Sequence, residues 1–447
     1  MFKIAELVKA TRGALISGGA GDSVKGISTD SRSARRDDAF IAIRGDRFDG
    51  HDFIGAVIKK GVKCIIGEKE QKIKGVAFIK VKDTLRALGD IAGYNRERHK
   101  HIPLIAVSGS CGKTTAKEMI AQALGKKFKV LKNAGTLNNH IGLPLTLLKL
   151  NSAYDLAVVE IGTNHFGEVS YLGRIARPDI GVITNIGPGH LAYFRDLRGV
   201  FREKYDLINS LRGPSIAVLN ADDEFLRKEI LKKKICPFIL GVGIKNRGDF
   251  RATDIRYVSG KPVFRVNRRF KFALKTLGYY NVYNALSAIA VARIFGLGYR
   301  DIASALAAFD PPANRLNFRQ INGIRFIDDS YNSNPLSMKQ ALGVLRALPG
   351  KGRRILVMGD MLELGVGALA LHEGIIAEAL AFVDTLITVG PLTRSCASKA
   401  ARRGRVYTCE TSSEAREVLF KTARADPRDI ILVKGSRGMK MEEVLKI

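Results

Sequence analysis

The stretch Ile102 to Thr115, IPLIAVSGSCGKTT, constrains this chain more than any other part of it. Its apolar run, bounded by Pro103 and Ser108, has the length and composition of a strand buried on both faces. The run breaks into Ser108-Gly109-Ser110-Cys111-Gly112-Lys113-Thr114-Thr115, after which Ala116 to Leu124 carries helix formers with Met119, Ile120 and Leu124 at helical spacing. Strand, glycine turn, lysine, hydroxyl and helix in that order make a phosphate cradle. Glycines let backbone N–H groups approach oxyanions, and a helix N-terminus favours negative charge. In such a loop Lys113 reaches the β- and γ-phosphates and Thr114 holds Mg²⁺. Val107 stands where the longer P-loop pattern has its first glycine, so this is a short variant. A surface glycine turn with a solvated lysine is the other reading of these residues alone.

At 447 residues, 46% hydrophobic and 26% charged, the chain has room for two to four domains with cores of their own. No apolar run approaches the ~18 residues of a membrane span, and MFKIAELVKATRG has the apolar positions of an amphipathic helix without the h-region of a signal peptide. Five cysteines, at 64, 111, 236, 396 and 409, lack metal-ligand spacing and fit reduced thiols in the cytoplasm. Of these, Cys111 is expected to be the most reactive, because a helix N-terminus and Lys113 favour thiolate, and ATP is expected to shield it. The net charge of +30 invites a nucleic-acid partner, but the basic residues are dispersed and no nucleic-acid module is recognisable, so a generally basic proteome or anionic substrates account for it as well.

Three α/β units follow from the strand and helix patterns: 1–100, a central P-loop domain over 101–311 with a mostly parallel sheet, and a dinucleotide-fold-like domain over 312–447. In the first, Ala39 to Ile43, Cys64 to Ile66 and Val76 to Val81 read as strands, separated by turns such as Arg44-Gly45-Asp46. Ser28-Thr29-Asp30-Ser31-Arg32 and Arg47-Phe48-Asp49-Gly50-His51 are polar clusters beside them, read locally as turns and caps. In the second, Leu156 to Ile161, Ile180 to Ile186 and Ile216 to Asn220 are strands and Arg198 to Leu211 is a helix. Ligands gather at the carboxyl ends of such a sheet, where Glu160, Asn185 and Asn220 sit; a strand-end carboxylate suits oxygen-seeking Mg²⁺ as well as plain solvation. Asp310 to Arg315 reads as a linker. Beyond it Arg354 to Met358, Thr385 to Val389 and Ile430 to Val433 alternate with helices such as His372 to Val383. A P-loop domain flanked by two others describes an enzyme that closes over nucleotide and substrate.

Over essentially its whole length the sequence resembles the ATP-dependent Mur ligases, which build the peptide of peptidoglycan. The short P-loop is similar to theirs. Leu137-Asn138-Asn139-His140-Ile141-Gly142-Leu143-Pro144, Glu160-Ile161-Gly162-Thr163-Asn164-His165 and Asp328-Asp329-Ser330-Tyr331-Asn332-Ser333-Asn334-Pro335 resemble the branch that joins D-alanyl-D-alanine to a UDP-N-acetylmuramoyl-tripeptide. So do Met358 to Gly365 and Val433 to Arg437. The Asp-Asn-Pro-Arg motif of the diaminopimelate-adding sibling is absent.

The resemblance implies an amide ligase that passes through an acyl phosphate, with ATP and two Mg²⁺ ions as cofactors, acting as a cytoplasmic monomer without nucleic acid or membrane insertion. Carried over position by position, it implies ATP contacts from Gly109 to Thr115 and from Asn281, Arg315 and Asp329. It makes Thr114, Glu160, His190 and Lys204 the magnesium set, with Lys204 carbamoylated, since an ammonium beside Mg²⁺ repels the metal and a carbamate supplies oxygens. Lys113, Glu160, His190 and Lys204 carry catalysis. Ser31, Arg32, Asp49 and His51 fall where the family holds the UDP end, and Asn138, Asn139, Asn164, His165, Asn332 and Asn334 where it holds the peptide and the amine. This sequence departs from the family at Tyr280, usually histidine, at Asn314, usually glycine, and at Thr136, usually asparagine. Rival readings are a sibling ligase adding one amino acid and a nucleic-acid-stimulated P-loop ATPase.

Overall fold

Side chains along Leu104–Ser108 alternate between two cores: Ile105 and Val107 join one cluster with the helix Lys113–Leu124, while Leu104 and Ala106 join the cluster on the opposite face. A strand covered on both faces has no reason for polar alternation, which is why the run is apolar throughout. The computed structural model describes residues 1–45, 48–70, 73–232, 237–400 and 405–446. Asp46 and Arg47 of the turn and polar cluster singled out above, and Cys236, lie outside the described residues.

Leu104–Ser108 sits inside a nine-stranded sheet between Leu156–Glu160 and Ile180–Ile183, parallel to both. Val130–Lys132 lies beyond Leu156–Glu160, whereas Ile216–Asn220 and Phe238–Gly243 extend the other side in parallel. The chain thus steps out to one side of its first strand and returns to build on the other, and that reversal opens a crevice at the strands' carboxyl ends. Phe250–Val258 joins Phe238–Gly243 in parallel and then pairs with Lys261–Val266 and, through it, Phe270–Ala273, which finish the sheet as an antiparallel extension. The sequence reading had not separated it from the parallel part. The helix Tyr280–Ile294 is buried from Asn281 to Ala292 and packs against the P-loop helix, so it is apolar all round rather than amphipathic.

Two further sheets flank this one. Near the N-terminus Ile27–Ser28, Ala39–Ile41, Cys64–Gly67 and Ala77–Lys80 run parallel, with Ala14–Ser17 antiparallel at the edge. Near the C-terminus Ile324–Asp329, Ile430–Lys434, Arg354–Gly359, Thr385–Val389 and Arg405–Cys409 run parallel, with Asn317–Ile321 as an antiparallel edge. Each carries cores on both faces. No helix among the described residues is long and apolar enough to cross a membrane.

Candidate functional site

The shape of the P-loop is set by the residues packed around it. Gly109 has φ +136°, and a Cβ there would come within 2.1 Å of Thr184 Oγ1. Gly112, at φ +82° as N-cap of the helix Lys113–Leu124, would put a Cβ 2.6 Å from Asn284 Oδ1. Only glycine fits either place. Asn185, flagged by its strand-end position, grips the Cys111 peptide from both sides: its Oδ1 accepts from Cys111 N at 2.9 Å and its Nδ2 donates to Cys111 O at 3.0 Å. Ser110 Oγ donates to Gly187 O and accepts from Gly187 N. Thr115 is buried behind the loop. The backbone N–H groups are therefore presented by a rigid frame.

Lys113 Nζ folds back onto Gly109 O at 2.9 Å. Burial, reinforced by the charge of Arg315 and opposed by Glu160, pushes its amine below the ordinary lysine value. Thr114 Oγ1 donates to Glu160 Oε2 at 2.7 Å and Asn138 Nδ2 to Glu160 Oε1 at 2.6 Å. Glu160 is only 1% exposed, and Asn133 clamps its backbone at both N–H and C=O. Lys117, fully buried, donates to Asn133 O and Gly135 O and so holds the loop that carries Thr136 and Asn138. Asn139 caps the next turn through Ile141 N and Gly142 N.

Lys204 lies on the helix Leu197–Asn209, 2% exposed, its Nζ 5.9 Å over the Phe194 ring and without a hydrogen-bond partner among the described residues. Burial first, and the charge of Lys113 second, push its amine well below the ordinary lysine value. Its neighbour Glu203 takes Thr163 Oγ1, Gly167 N and Val169 N, pinning the loop that presents Asn164 and His165. Nothing local in the sequence distinguished Lys117 or Glu203 from ordinary helix residues.

Contacts at Cys111, Thr136, His190 and Ala192 join the central domain to the C-terminal one. Cys111 Sγ donates to Asn334 Oδ1 at 3.3 Å, Tyr331 OH donates to Thr136 Oγ1 at 2.7 Å, His190 Nδ1 meets Glu363 Oε2 at 2.5 Å, and Ala192 N donates to Glu363 O. The His190 contact holds the Glu363 carboxyl below its usual range. Asn334 also N-caps Pro335–Ala347, and Asn332 Oδ1 accepts from Ser333 N and Arg437 N. Asp329 and Lys434 pair at 2.6 Å; burial drives Asp329 upward and the lysine opposes it. Arg315 stands 4.1 Å over the Tyr331 ring. The linker aims it through two left-handed residues, Asn314 at φ +61° and Leu316 at φ +52°. Asparagine tolerates that conformation where glycine is usual, whereas at Leu316 it costs roughly 1–2 kcal/mol, held by Leu316 N donating to Asp329 Oδ1.

Two cavities result. One, of about 260 Å³, is lined by residues Ser110 to Thr115, Asn138, Glu160, Asn164, His190, Asn281, Arg315, Asp329, Asn332, Asn334 and Lys434. The other, of about 220 Å³, shares Cys111, Gly112, Tyr280 and Asn284 with it and adds Tyr279 and Tyr283, ring faces that suit a stacked base. Asn281 is anchored, its Nδ2 on Leu277 O and its Oδ1 accepting from Asn284. His165 stands outside these walls, its side chain 58% exposed and its ring 4.2 Å from Tyr193.

The thiolate expected at Cys111 meets an opposing effect: burial, its largest cause, lifts the thiol above its ordinary value and outweighs Lys113. Alkylation of Cys111 by iodoacetamide should therefore rise only at pH above that of a free thiol, and Asn334→Ala, which removes a partner that pulls the thiol's value down, should move that rise to still higher pH. Labelling at pH 7 as fast as that of free cysteine would contradict this.

In the first domain Asp49 Oδ1 accepts from the His51 amide and meets His51 Nδ1 at 2.6 Å, while His51 Nε2 accepts from Glu68 N, which places the ring proton on Nδ1. Arg32 forks onto Asp30, and Lys60 Nζ donates to the carbonyls of Ser31 and Arg32. These four residues follow the carboxyl ends of neighbouring parallel strands, but none lines the two cavities above.

A phosphate-cradling loop, a buried strand-end carboxylate and a cleft closed by a third sheet define the class of three-domain P-loop enzymes that enclose a nucleotide. Family models described as Mur ligase family catalytic domain, Mur ligase middle domain, and Mur ligase glutamate ligase domain match residues 23–113, 107–292 and 314–437. The chain is 34% identical to the UDP-N-acetylmuramoyl-tripeptide–D-alanyl-D-alanine ligase of Bacillus subtilis (strain 168) over 95% of its own length and 93% of the relative's. In structure it is similar to MurF from Acinetobacter baumannii, with TM-score 0.91 and 33% identity over 99% of this chain and 98% of that one. It is also similar to MurF ligase from Thermotoga maritima in complex with ADP, with TM-score 0.84 and 27% identity over 95% and 96% of the two chains. The chain belongs to the Mur ligase family.

Proposed function

We propose that this protein joins D-alanyl-D-alanine to UDP-N-acetylmuramoyl-tripeptide at the expense of ATP, producing the pentapeptide precursor of peptidoglycan. The near-full-length identity to a ligase of that name carries the reading, and the cleft supplies the parts. The tripeptide's terminal carboxylate attacks the γ-phosphoryl of ATP to give an acyl phosphate and ADP. The dipeptide's amine then attacks the acyl carbon, phosphate leaves, and the amine's proton is lost to solvent or base. Lys113 and Arg315 stabilise the transferring oxygens while the loop N–H groups hold the others. Tyr280, Asn281 and Asp329 take the nucleoside end. The clasped third sheet keeps water from the acyl phosphate. On this reading the domains divide at 101 and 312, and Ser31, Arg32, Asp49 and His51 receive the UDP end. The protein acts as a cytoplasmic monomer, without nucleic acid.

The donor set fits Mg²⁺. Among the described residues no three His, Cys, Asp or Glu side chains gather as a metal cluster, but Mg²⁺ is commonly held by one or two carboxylates together with phosphates and water. Glu160 and Thr114 offer such oxygens, with His190 on the same wall. Bound there, the ions neutralise phosphate charge. Lys204 fits carbamoylation: burial pushes its amine well below the ordinary lysine value, which favours the neutral form that attacks CO₂, releasing a proton and becoming an oxygen-bearing anion.

Amine dependence tests the reading. Phosphate release with UDP-N-acetylmuramoyl-tripeptide should favour D-alanyl-D-alanine over D-alanine, L-lysine, diaminopimelate or D-glutamate by on the order of 10²-fold or more, since a site built for a dipeptide leaves polar groups unpaired around a single residue. His165→Ala should raise the KM for the dipeptide more than that for ATP. Preference for one amino acid would reassign the chain to a sibling activity, and release driven by DNA or RNA alone would make it a nucleic-acid ATPase.

A further inference from the structure

A cavity of about 570 Å³, larger than the nucleotide cavity's 260 Å³, lies where the linker passes between the central and C-terminal sheets. Its floor is apolar: Leu277, Leu348 and Ile430 belong to the core and are 2%, 5% and 2% exposed. Its rim is cationic. The Lys261 amine has no hydrogen bond or ion pair among the described residues, and Arg325 spends its guanidinium on the carbonyls of Pro349 and Arg428. Among the described residues the Lys275 amine makes only a long, exposed contact to Asp310 at 3.4 Å. Three cations thus face one carboxylate, and the adjoining antiparallel extension strengthens the sign, with ten lysines and arginines against two aspartates between Lys245 and Lys275.

A simple inorganic anion gains nothing from the apolar floor, and an uncharged apolar molecule leaves the cations unmatched. The volume is that of a small-molecule site. Leu316 is a wall of both this cavity and the nucleotide cavity, in the strained turn that aims Arg315 at Tyr331. We propose that the cavity is a second ligand site for a small amphipathic anion, an apolar body bearing one carboxylate, sulfonate or phosphate, whose occupancy adjusts the nucleotide site through Leu316 and Arg315. Such a ligand acts by preferring the linker conformation it packs against.

The chain contains no tryptophan, so Phe318→Trp at the half-exposed rim supplies a single energy-transfer donor. The probe is 8-anilinonaphthalene-1-sulfonate, titrated into the full-length protein. Saturable transfer to one bound dye is expected, displaced by decanoate but not by the same concentration of inorganic phosphate or by ATP. Replacing Lys261 and Lys275 by alanine in that background should weaken binding by roughly fivefold per cation with ligase turnover kept, and bound dye should change the KM for ATP in the protein that retains both lysines. The binding arm stands independently of the ligase reading. Absence of transfer, displacement by ATP or by phosphate, indifference to the lysines, or an unchanged KM for ATP would each overturn the proposal.

Discussion

Lys113→Ala is expected to lower kcat by on the order of 10²-fold or more while leaving the protein folded. The amine makes no structural contact beyond its own loop, donating to Gly109 O and, at 3.5 Å, to Ser110 O. Alanine is the best helix former for the first position of Lys113–Leu124. The loop's shape is held by Asn185, Ser110 and two glycines rather than by this lysine, so the loss falls on the transferring phosphate. Turnover measured beside a thermal melt separates the two effects. Near-normal turnover in a folded variant would remove the phosphate-binding assignment.

Lys204 predicts an unusual pairing of effects. Lys204→Ala should abolish most turnover, far beyond the effect of a surface lysine, because a ligand-bearing position is lost. Lys204→Met should be as inactive, yet no less stable than the parent in CO₂-free buffer. An unpartnered buried amine is costly to charge, and an apolar side chain of similar volume avoids that cost. The pH dependence has a definite sign. The folded amine titrates below the unfolded one, so between those two values the unfolded chain binds more protons. The unmodified protein therefore gains stability as pH rises through that window, and Lys204→Met should flatten the slope. Wild-type turnover should fall on CO₂ depletion and return with bicarbonate. Full activity in Lys204→Ala, or indifference to bicarbonate, counts against the carbamate.

Elements with a strong local pattern were legible. The expected strand at Ile216 to Asn220 coincides with the observed one, and that at Ile180 to Ile186 stops at Ile183 because Asn185 turns to clamp the P-loop. The helix expected over Arg198 to Leu211 runs Leu197–Asn209. The expected helix start at His372 misses the true one at Ala368, and His372 is instead a buried residue bonding Met361 N. The site was legible only in part. Asn332 and Asn334 line the cleft, but their amide oxygens are occupied by a turn and a helix cap.

Period and punctuation are properties of neighbours along the chain: apolar runs bounded by glycine or proline, a glycine turn before a lysine, a cap before a helix. Those determined the α/β alternation and the phosphate loop from the sequence by itself. Burial and juxtaposition belong to residues far apart. Whether Cys111 is exposed or buried is decided by packing between distant parts of the chain, where its Sγ meets Asn334 more than two hundred residues away. Whether Lys204 is a surface ammonium or a buried amine pushed below the ordinary lysine value depends on the packing around it, where its Nζ lies over the Phe194 ring. Whether a linker is a tether or the shared wall of two cavities depends on which sheets it passes between. Desolvation acts through space, with no trace in local composition, so those assignments waited for the tertiary structure.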